Sequence, residues 1–487
     1  MSVIRRVLGA LCRTLGKIKR TLKAAMLRQP TSAGAAEARP VHNASSVPTM
    51  PEWLQDEIYA IGSLDPDLVP PGEVLDRYQF YSVPSLPAAG MAYAELLMHL
   101  NGASFTHVLV VPWLKQGGAD RGILYHAQAI LESEGRNRLL VIGTEPGDSP
   151  WASRLPSSAV YISLGNIVGH LSLDDQVRVL VRLLVQQRPH VIHIVNSRVG
   201  WEAVRHYGMA LRQHSALYAS LFCDDYSERM LPVGYARDYL RDCHAAFNTI
   251  FSDNSQYPRI WSEDLGIPQR CFTVLPFPYD GNVAPLGSKG RSEEGARRVL
   301  WAGRLDRQKR PDILAKIAEA MPHVEFDVFG TQVMSGSSSV IQQLSALPNV
   351  TLHGEFQRLE AVASGSHFAY LHTSAWEGTP TILFDAASSM LPICAPAVGG
   401  IVDFLEPTSL VADYEDVAAF VSQLETLRLS PLERELRVSR QLETLRQTRQ
   451  WVGFTSKLAG AGSYLGNAPQ GAVLSAVGQA ADSGNIT

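Results

Sequence analysis

The sequence has little of what marks several common protein classes. Its five cysteines are scattered over 487 residues without CxxC spacing, which argues against a disulfide framework or a zinc site and for a reducing compartment. No run approaches the roughly 18 apolar residues of a membrane span. The formal net charge of -4 gives no basic surface of the kind that binds nucleic acid. A hydrophobic content of 46% nevertheless provides for sizeable cores, and the length suits about two or three domains.

Residues 1–28 are strongly basic, with eight Lys or Arg and no acid. Apolar residues recur there at steps of three and four, which predicts one apolar helix face. Such a segment is typical of a helix that lies on an anionic membrane surface. An amphipathic helix packed on the body of the protein and a targeting peptide are the alternatives. A secretory signal is disfavoured, because a continuous apolar core is lacking.

Short apolar, β-rich runs alternate with helix-like segments from residue 106 onward, for example at 106–113, 138–144 and 190–196. Strands that are apolar throughout and alternate with helices predict parallel sheets covered on both faces. A second series of such runs begins at 298, after a polar stretch that contains glycine. The sequence therefore predicts an α/β fold. It comprises two Rossmann-like, doubly wound parallel-sheet domains facing across a cleft, with an N-terminal extension.

The predicted segments follow one another without a short tandem repeat. They are a basic amphipathic helix (1–28), a linker (29–50), an N-terminal extension (51–100), a first Rossmann-like domain (101–280), a linker (281–296), a second Rossmann-like domain (297–430), a C-terminal helical segment (431–459) and a disordered tail (460–487). In such sheets the loops after the carboxyl ends of the strands face ligand. We therefore expect the chemistry in those loops.

The first candidate loop is PWLKQGGADRG, which follows the opening strand. Gly117 and Gly118 let a ligand approach the backbone closely, and the free N–H groups of the next helix suit an anion or a sugar. Taken alone, the pair is equally consistent with a simple turn.

The second candidate loop is WAGRLDRQKRPD, after the first strand of the second domain. Arg304 and Lys309 put two cations on one loop, as a diphosphate needs, because Arg offers a planar donor fork and Lys a mobile point charge. A solvated basic loop is the alternative, since Arg307 and Arg310 also stand there.

Two acids flank the third candidate loop, EGTPTILFD, a strand-to-helix turn in which seven residues separate Glu377 from Asp385. Thr379, Thr381 and the N–H groups of the helix's first turn can hold a negative ligand, while Glu377 accepts hydrogen bonds from hydroxyls. The alternative is that Glu377 caps the helix and Asp385 is a surface acid.

The fourth candidate loop is AVGGIVDF, with Gly399 and Gly400 after the next strand. Neighbouring parallel strands bring the loops that follow them together. We therefore expect this glycine pair beside Glu377.

Together, in this order, the four loops resemble the retaining glycosyltransferases of the GT-B fold, in the large family often called group 1 (family 4-like). The second domain of that family carries a G-R-x-x-x-x-K loop, an E-G-x-P-x-x-x-x-E stretch and a G-G-[IV]-x-E turn. Here these stand as Gly303-Arg304 with Lys309, as EGTPTILFD and as GGIVD. The likeness covers roughly residues 106–457 and is strongest in 297–404.

The resemblance implies an enzyme that moves a sugar from a nucleotide-diphosphate-sugar to a saccharide, lipid-linked or other acceptor, with retention of anomeric configuration. It implies cell-surface polysaccharide or glycolipid synthesis. The basic segment 1–28 favours a cytoplasmic protein that is peripheral to the inner face of the cytoplasmic membrane. Neither a metal nor another cofactor is expected, and no nucleic-acid partner.

The resemblance also implies roles for single residues. Arg304 and Lys309 would neutralise the diphosphate, Asp385 would hold the ribose hydroxyls, and Glu377 would lie near the donor sugar as a catalytic residue. The other substrate-binding residues that it implies are Gly117, Gly118, Gly378, Thr379, Thr381, Gly399 and Gly400.

A second catalytic candidate follows a strand of the first domain, in FCDDYS. The family often carries a His or Asp beside the reacting centre at this point. Asp224 is the candidate that this implies, and Asp225 is its alternative.

Three positions depart from the family's pattern. Asp385 is one methylene shorter than the usual Glu, Met390 replaces a glycine and fits a left-handed helix cap poorly, and Arg310 replaces the glycine after Lys309. The departures motivate a second hypothesis, a non-catalytic GT-B subunit that binds sugar or a partner enzyme. A GT-B sugar epimerase or phosphorylase is a third hypothesis and ranks lowest, since no lysine-cofactor signature of a phosphorylase is evident.

Overall fold

The structure, a computed structural model, describes residues 52–70, 88–133, 136–283, 285, 295–331 and 338–466. The chain divides into two units, residues 1–84 and residues 85–487, which are described separately below. The predictions for residues 1–28 and 29–50 lie outside the described residues, as does the predicted tail beyond residue 466. None of the helices in the described ranges combines the length and apolar content needed to cross a bilayer.

In the first unit, the described residues form helix α1 (Glu52–Gly62) and a short 3-10 turn at Pro66–Leu68. The side chain of Asp65 caps this turn by accepting the N–H of Asp67 at 3.0 Å. Tyr59 and Leu64 are exposed.

The second unit opens with helix α2 (Ala88–Leu100), which precedes the first sheet. Tyr93, Leu96 and Leu100 of this helix are buried in the core of the first lobe. The helix therefore belongs to the first lobe, and the predicted boundary at residue 101 falls after it instead of before it. The apolar side chains of α2 pack against two further helices of that lobe, Leu164–Val168 and Leu173–Gln187, which explains why they are buried.

Strands and helices alternate through the first lobe. Its strands are β1 (His107–Val111), β2 (Leu139–Gly143), β3 (Val160–Ser163), β4 (Val191–Val195), β5 (Ala216–Ser220), β6 (Asp225–Tyr226), β7 (Pro232–Val233), β8 (Thr249–Ser252) and β9 (Phe272–Val274). Its further helices are α3 (Gly118–Glu132), α4 (Leu164–Val168), α5 (Leu173–Gln187), α6 (Arg198–Leu211), α7 (Tyr235–Cys243) and α8 (Gln256–Leu265).

Seven of these strands form one parallel sheet in the order β3-β2-β1-β4-β5-β8-β9. β1 lies near the centre, where His107 stands opposite both Leu139 and Val191. All residues of β1, β2 and β4 are buried, as expected for strands covered by helices on both faces. β6 and β7 form a separate antiparallel hairpin after β5, which the sequence pattern does not predict.

The second lobe repeats the alternation. Its strands are β10 (Arg298–Ala302), β11 (Glu325–Phe329), β12 (Val350–Gly354), β13 (His367–Leu371), β14 (Ile393–Pro396) and β15 (Leu410–Val411). Its helices are α9 (Pro311–Ala320), α10 (Ser338–Ala346), α11 (Leu359–Val362), α12 (Ile382–Ser388), α13 (Val417–Leu429) and α14 (Pro431–Thr448), and α15 (Trp451–Ala459) follows them. The six strands form a parallel sheet in the order β12-β11-β10-β13-β14-β15.

The order of strands brings the predicted chemical loops together. β10 pairs with β13 and β13 with β14, so the loops that follow these three strands share one edge of the sheet. This confirms the prediction of two Rossmann-like domains with parallel sheets. The β1–α3 loop stands at the corresponding edge of the first sheet.

A continuous apolar core joins the two lobes. Helix α15 returns from the second lobe to the first, and its Trp451 and Phe454 rings meet the Tyr125 ring edge-on, with centroids 6.3 and 6.2 Å apart. The residues after α15 continue along the first lobe. There the Tyr464 hydroxyl lies 2.7 Å from Nδ1 of His126 and 2.8 Å from Nδ1 of His193.

Tyr464 is fully buried, which corrects the predicted start of the disordered tail. Residues 460–466 pack on the first lobe, because Tyr464, an aromatic residue inside a small, polar stretch, fills a pocket there. Composition alone does not show this packing.

Two of the three positions that depart from the family's pattern adopt left-handed backbone. Arg310 has a φ of 51° and Met390 a φ of 58°, a region that penalises a Cβ. The Arg310 side chain is held by Asp312 at 2.8 Å and by Glu415 at 2.9 Å. Met390 lies at the end of α12 and has no comparable polar anchor within the described residues.

We expect Met390→Gly to be more stable than Met390→Ala by about 1 kcal/mol, because both remove the side chain but only alanine keeps the Cβ in left-handed backbone. Chemical denaturation of the two variants measures the difference in the free energy of unfolding. The matched control is the same pair at Glu435, which is exposed on α14. There glycine should be the less stable by about 1 kcal/mol, and equal signs at both positions would contradict the interpretation.

Candidate functional site

The loop after β10 carries a chain of polar contacts towards Glu377. The Arg304 guanidinium lies 2.9 Å from Asp306 and donates to Gln308 at 2.7 Å. The Gln308 amide donates to the Trp376 carbonyl at 2.9 Å and reaches Oε2 of Glu377 at 3.5 Å. The structure therefore connects the guanidinium at 304 with the carboxylate at 377 through one side chain.

Glu377 is buried and forms an ion pair with Lys309. Its Oε1 also lies 3.2 Å from Nε2 of His372, at the end of β13. Burial acts to raise the pKa of Glu377, but the Lys309 ammonium and His372 hold it well below its ordinary value. Burial lowers the pKa of His372 in turn. The carboxylate is thus ionised, and it is not a simple helix cap, because α12 begins five residues later.

A cavity of about 580 Å³ lies between the lobes. Gly117 and Gly118 of the first lobe line one side, and Thr381 and Asp385 of the second lobe line the other. A Cβ built on Gly118 would stand 4.0 Å from the hydroxyl of Thr381, so the two loops face each other closely. Among the other lining residues are Trp151, Arg154, Tyr279, Asp280, Phe356, Gln357, Arg358 and Glu360.

Asp385 faces this cavity from the first turn of α12, and its carboxylate lies 3.7 Å from the Arg121 guanidinium of α3. Burial raises the pKa of Asp385 to about 6, although Arg121 opposes the shift, and the nearby Glu360 and Asp280 raise it further. Asp385 is therefore not a simple surface acid. Its ionisation depends on pH in the range in which most carboxylates are already charged.

The glycine pair of the fourth loop has a packing role in the structure. A Cβ on Gly399, at a φ of 50°, would stand 1.7 Å from the carbonyl of Glu377. On Gly400 it would lie 2.3 Å from the Thr379 hydroxyl and 2.8 Å from Cβ of Asn254. The pair does lie beside Glu377, as predicted. Its glycines are required by backbone contact and do not line the described cavity.

Thr379 is engaged by the first lobe. Its N–H donates to Oδ2 of Asp253 at 2.7 Å, and its hydroxyl donates to the Asp253 carbonyl at 2.9 Å. A Cβ on Gly378 would stand 3.0 Å from the same Oδ2. Thr379 therefore connects the two lobes, and Gly378 leaves room for the Asp253 carboxylate. Substrate binding by either residue stays a prediction.

The structure does not bring Asp224 into contact with the Glu377 cluster. One oxygen of the Asp224 carboxylate accepts two hydrogen bonds from Arg237, at 2.9 and 2.6 Å, and the other accepts the indole N–H of Trp261 at 2.8 Å. Its side chain is fully buried. Asp225 is exposed in the hairpin. The catalytic role of either residue stays a prediction. In the structure, both oxygens of the Asp224 carboxylate are hydrogen-bonded to side chains of the first lobe.

The sequence pattern does not identify three residues that contact the site: Gln308, His372 and Arg121. Gln308 stands inside the Arg304–Lys309 loop, His372 at the end of a predicted strand, and Arg121 in the first turn after the glycine pair. Their positions are visible in the sequence as strand-end or helix-start positions. What the sequence does not show is which opposite loop each of them meets.

Among the described residues, no group of three or more His, Cys, Asp and Glu side chains is arranged to hold a metal ion. The prediction that no metal is needed stays a prediction.

The architecture defines the class of protein: two facing Rossmann-like lobes of the GT-B fold. Two solved structures share it over most of their length. The lipopolysaccharide outer core galactosyltransferase WaaB aligns with a TM-score of 0.54 at 14% identity, covering 73% of this chain and 98% of that one. HepE of Anabaena, in complex with UDP and glucose, aligns with a TM-score of 0.55 at 15% identity and the same coverage.

Residues 296–429 match the family model of the group 1 glycosyl transferases. Two Escherichia coli proteins, the O-antigen biosynthesis glycosyltransferase WbnH and the probable O-antigen biosynthesis glycosyltransferase WbiN, are each 24% identical over 152 residues. These matches cover 31% of this chain and 42% of either relative, so the chain spans less than half the length of the curated relatives that it matches. The second lobe, which carries Arg304, Lys309, Glu377 and Asp385, contains the whole of the family match.

We expect Lys309→Met to lower the free energy of unfolding by about 3–5 kcal/mol, because it leaves the buried Glu377 carboxylate without its cation. The double variant Lys309→Met/Glu377→Gln should lose clearly less, since neither charge then remains. Urea denaturation at neutral pH measures both. A double variant as unstable as the single one would show that the pair does not compensate a buried charge.

Proposed function

We propose that the protein is a glycosyltransferase that takes its sugar from a nucleoside-diphosphate-sugar donor and transfers it with retention of anomeric configuration. The observation that carries the proposal is the cluster of Arg304, Gln308, Lys309 and Glu377 on the neighbouring loops after β10 and β13, within the segment that matches the group 1 family. The segment 377–381 is named the donor loop below.

The charges of the site suit a diphosphate. Arg304 is half exposed on its loop, and its guanidinium offers further N–H donors besides those used on Asp306 and Gln308. As the bond between the anomeric carbon and the phosphate breaks, negative charge grows on the departing nucleoside diphosphate. Arg304 and Lys309 would stabilise that charge in the transition state, where such fixed donors have their largest effect.

The donor's two ends would meet the two acids. Asp385 faces the cavity and would accept hydrogen bonds from ribose hydroxyls, while the buried Glu377 would lie near the sugar. Gly117, Gly118 and Thr381 would let the phosphates approach the backbone between the lobes. This donor chemistry is consistent with the structures of HepE with UDP and glucose and of the pneumococcal O-GlcNAc transferase GtfA with UDP and GlcNAc.

For the acceptor, we propose a saccharide or lipid-linked saccharide used in O-antigen or other cell-surface glycan synthesis. The two Escherichia coli relatives named for O-antigen biosynthesis support this choice. The acceptor would approach from the side of the first lobe. The sugar and the base of the donor are not distinguished, because every nucleoside diphosphate presents the same two phosphates to the cleft.

The donor proposal predicts that Arg304→Ala lowers kcat/KM about 100-fold, because one donor to the developing charge is lost. Glu377→Ala should also abolish most activity. The measurement is sugar transfer and donor hydrolysis with a panel of uridine, guanosine and deoxythymidine diphosphate sugars. NMR of the first-formed product reports whether the anomeric configuration is retained.

The matched control is Arg270→Ala, an exposed arginine in the turn before β9, outside the cleft loops. It should keep the wild-type rate. A folded wild-type protein that is inactive with every donor would favour the non-catalytic subunit, a hypothesis that the backbone strain at Arg310 and Met390 motivates.

We also propose that residues 1–28 attach the protein to an anionic membrane surface, on the grounds of their eight cations and apolar periodicity. Deletion of residues 1–28 should release the protein from vesicles that contain anionic lipid, as measured by co-sedimentation. Raising the salt concentration should weaken binding of the full chain, because the attraction is screened. Equal vesicle binding by the truncated and full chains would contradict the proposal.

A further inference from the structure

Asp253 of the first lobe is hydrogen-bonded to Thr379, in the middle of the donor loop. It follows β8 directly, its carboxylate accepts the backbone N–H of Thr379, and its backbone carbonyl accepts the Thr379 hydroxyl. Thr379 stands between Glu377 and Thr381, so this contact restrains the chain on both sides of it. The Gly400 N–H adds a bond to the Gly378 carbonyl at 2.9 Å. The position of the donor loop thus depends on a side chain of the other lobe.

Both oxygens of the Asp253 carboxylate face donors. Oδ2 accepts from Thr379, and Oδ1 accepts from the Asn254 amide at 2.7 Å. The Asn254 amide cannot turn over, because its nitrogen also donates to the Phe222 carbonyl at 2.7 Å and its oxygen accepts the N–H groups of Gln256 and Tyr257. A carboxylate accepts both N–H groups as a charged acceptor, whereas protonation removes the charge and so weakens both bonds.

Among the described residues, a cation and a thiol lie near Asp253, and Glu377 and Asp403 are acids close to them. The cation is Arg449, which is buried, lies over the Phe384 ring at 4.9 Å, and has no hydrogen-bond partner for Nε or Nη1. Arg449 attracts the Asp253 carboxylate. The thiol is Cys223, whose pKa burial raises well above its ordinary value, with a further rise from the nearby Glu377 and Asp253.

We infer that Asp253 is the positioning residue of the donor loop: as a carboxylate it fixes Thr379 and the loop, and when protonated it releases them. Its effect on transfer rests on the proposed function, but the contact between the lobes does not. Asp403 makes a second contact of this kind with Ser255 at 2.6 Å, at a more exposed position. Within the described contacts, this leaves Asp253 as the buried acid that touches the donor loop from the first lobe.

A change of pH acts in opposite directions on the contribution of Asp253 to stability and on the order of the donor loop. Burial raises the pKa of Asp253 to about 6. The native protein therefore binds this proton more tightly than the unfolded chain, and the contribution of Asp253 to stability declines as the pH rises from about 4 through 6. The order of the donor loop changes the other way, because it needs the carboxylate. A purely structural role of Asp253 would make stability and loop order change together.

The test is hydrogen–deuterium exchange of the free protein, read on a peptide that covers residues 377–381, near pH 7.5 and near pH 5. In Asp253→Asn, these amides should exchange about tenfold faster than in the wild type near pH 7.5, because a hydrogen bond to a charged group is lost. Near pH 5 the difference should vanish. The control is Asp242→Asn, the same charge change at an exposed position of α7, which should behave as the wild type.

A second readout uses any donor that the wild type accepts. Asp253→Asn should raise the KM for the donor more than it lowers kcat, and it should reduce the fall in the wild-type rate below about pH 6, a fall to which Asp385 also contributes. Equal exchange of residues 377–381 near pH 7.5, with an unchanged donor KM, would overturn the inference. Should the wild type use no donor at all, the proposed function fails, and the exchange experiment still decides the role of Asp253.

If Asp253→Asn does not fold, the wild type alone decides. The protection of residues 377–381, relative to that of β13, should fall between about pH 7.5 and pH 5. A constant ratio would overturn the inference.

Discussion

A carboxylate taken out of water must be neutralised where it lies, and in this molecule Glu377 meets that condition through the ammonium of Lys309. The pair joins the loop after β10 to the loop after β13, which are neighbouring strands. His372 and Gln308 supply the remaining contacts to the same carboxylate. This ion pair fixes the relative position of the two loops. If either loop moved away, one charge would remain buried without its partner.

The cleft is balanced in charge before any ligand enters. Arg304 lies against Asp306, Lys309 against Glu377 and Arg121 against Asp385. An anionic ligand must therefore share cations that already have partners. This arrangement limits the cost of keeping several cations close together, and it keeps them oriented by their acids. The Arg121 guanidinium also favours the ionised form of Asp385, although burial raises the pKa of this acid.

Contact between the lobes is as close as glycine allows. Gly378, Gly399 and Gly400 each stand where a Cβ would meet a neighbouring backbone or side-chain atom at 3.0 Å or less. Asp253 and Asn254 of the first lobe lie opposite Gly378 and Gly400, whereas Gly399 stands against the backbone of Glu377 in its own lobe. The motif that resembles a ligand-binding signature is therefore also a packing signature. The same residues place Glu377 and connect it to the first lobe, so the positions of Glu377 and of the first lobe are coupled through a few buried atoms.

The local sequence pattern was enough to predict the strands, the two parallel sheets and the loops that carry Arg304, Lys309, Glu377 and Asp385. A strand that is buried on both faces needs apolar residues at every position, so it is visible in the sequence as a continuous apolar run. The tertiary structure alone decided which polar groups are partners. In the structure, Asp224 accepts hydrogen bonds from Arg237 and Trp261, and Asp253 accepts one from Thr379. The Tyr464 hydroxyl lies between two histidines. The physical reason is range: an apolar run reflects only its own strand, whereas a hydrogen-bond partner depends on which distant loop the fold brings within about 3 Å.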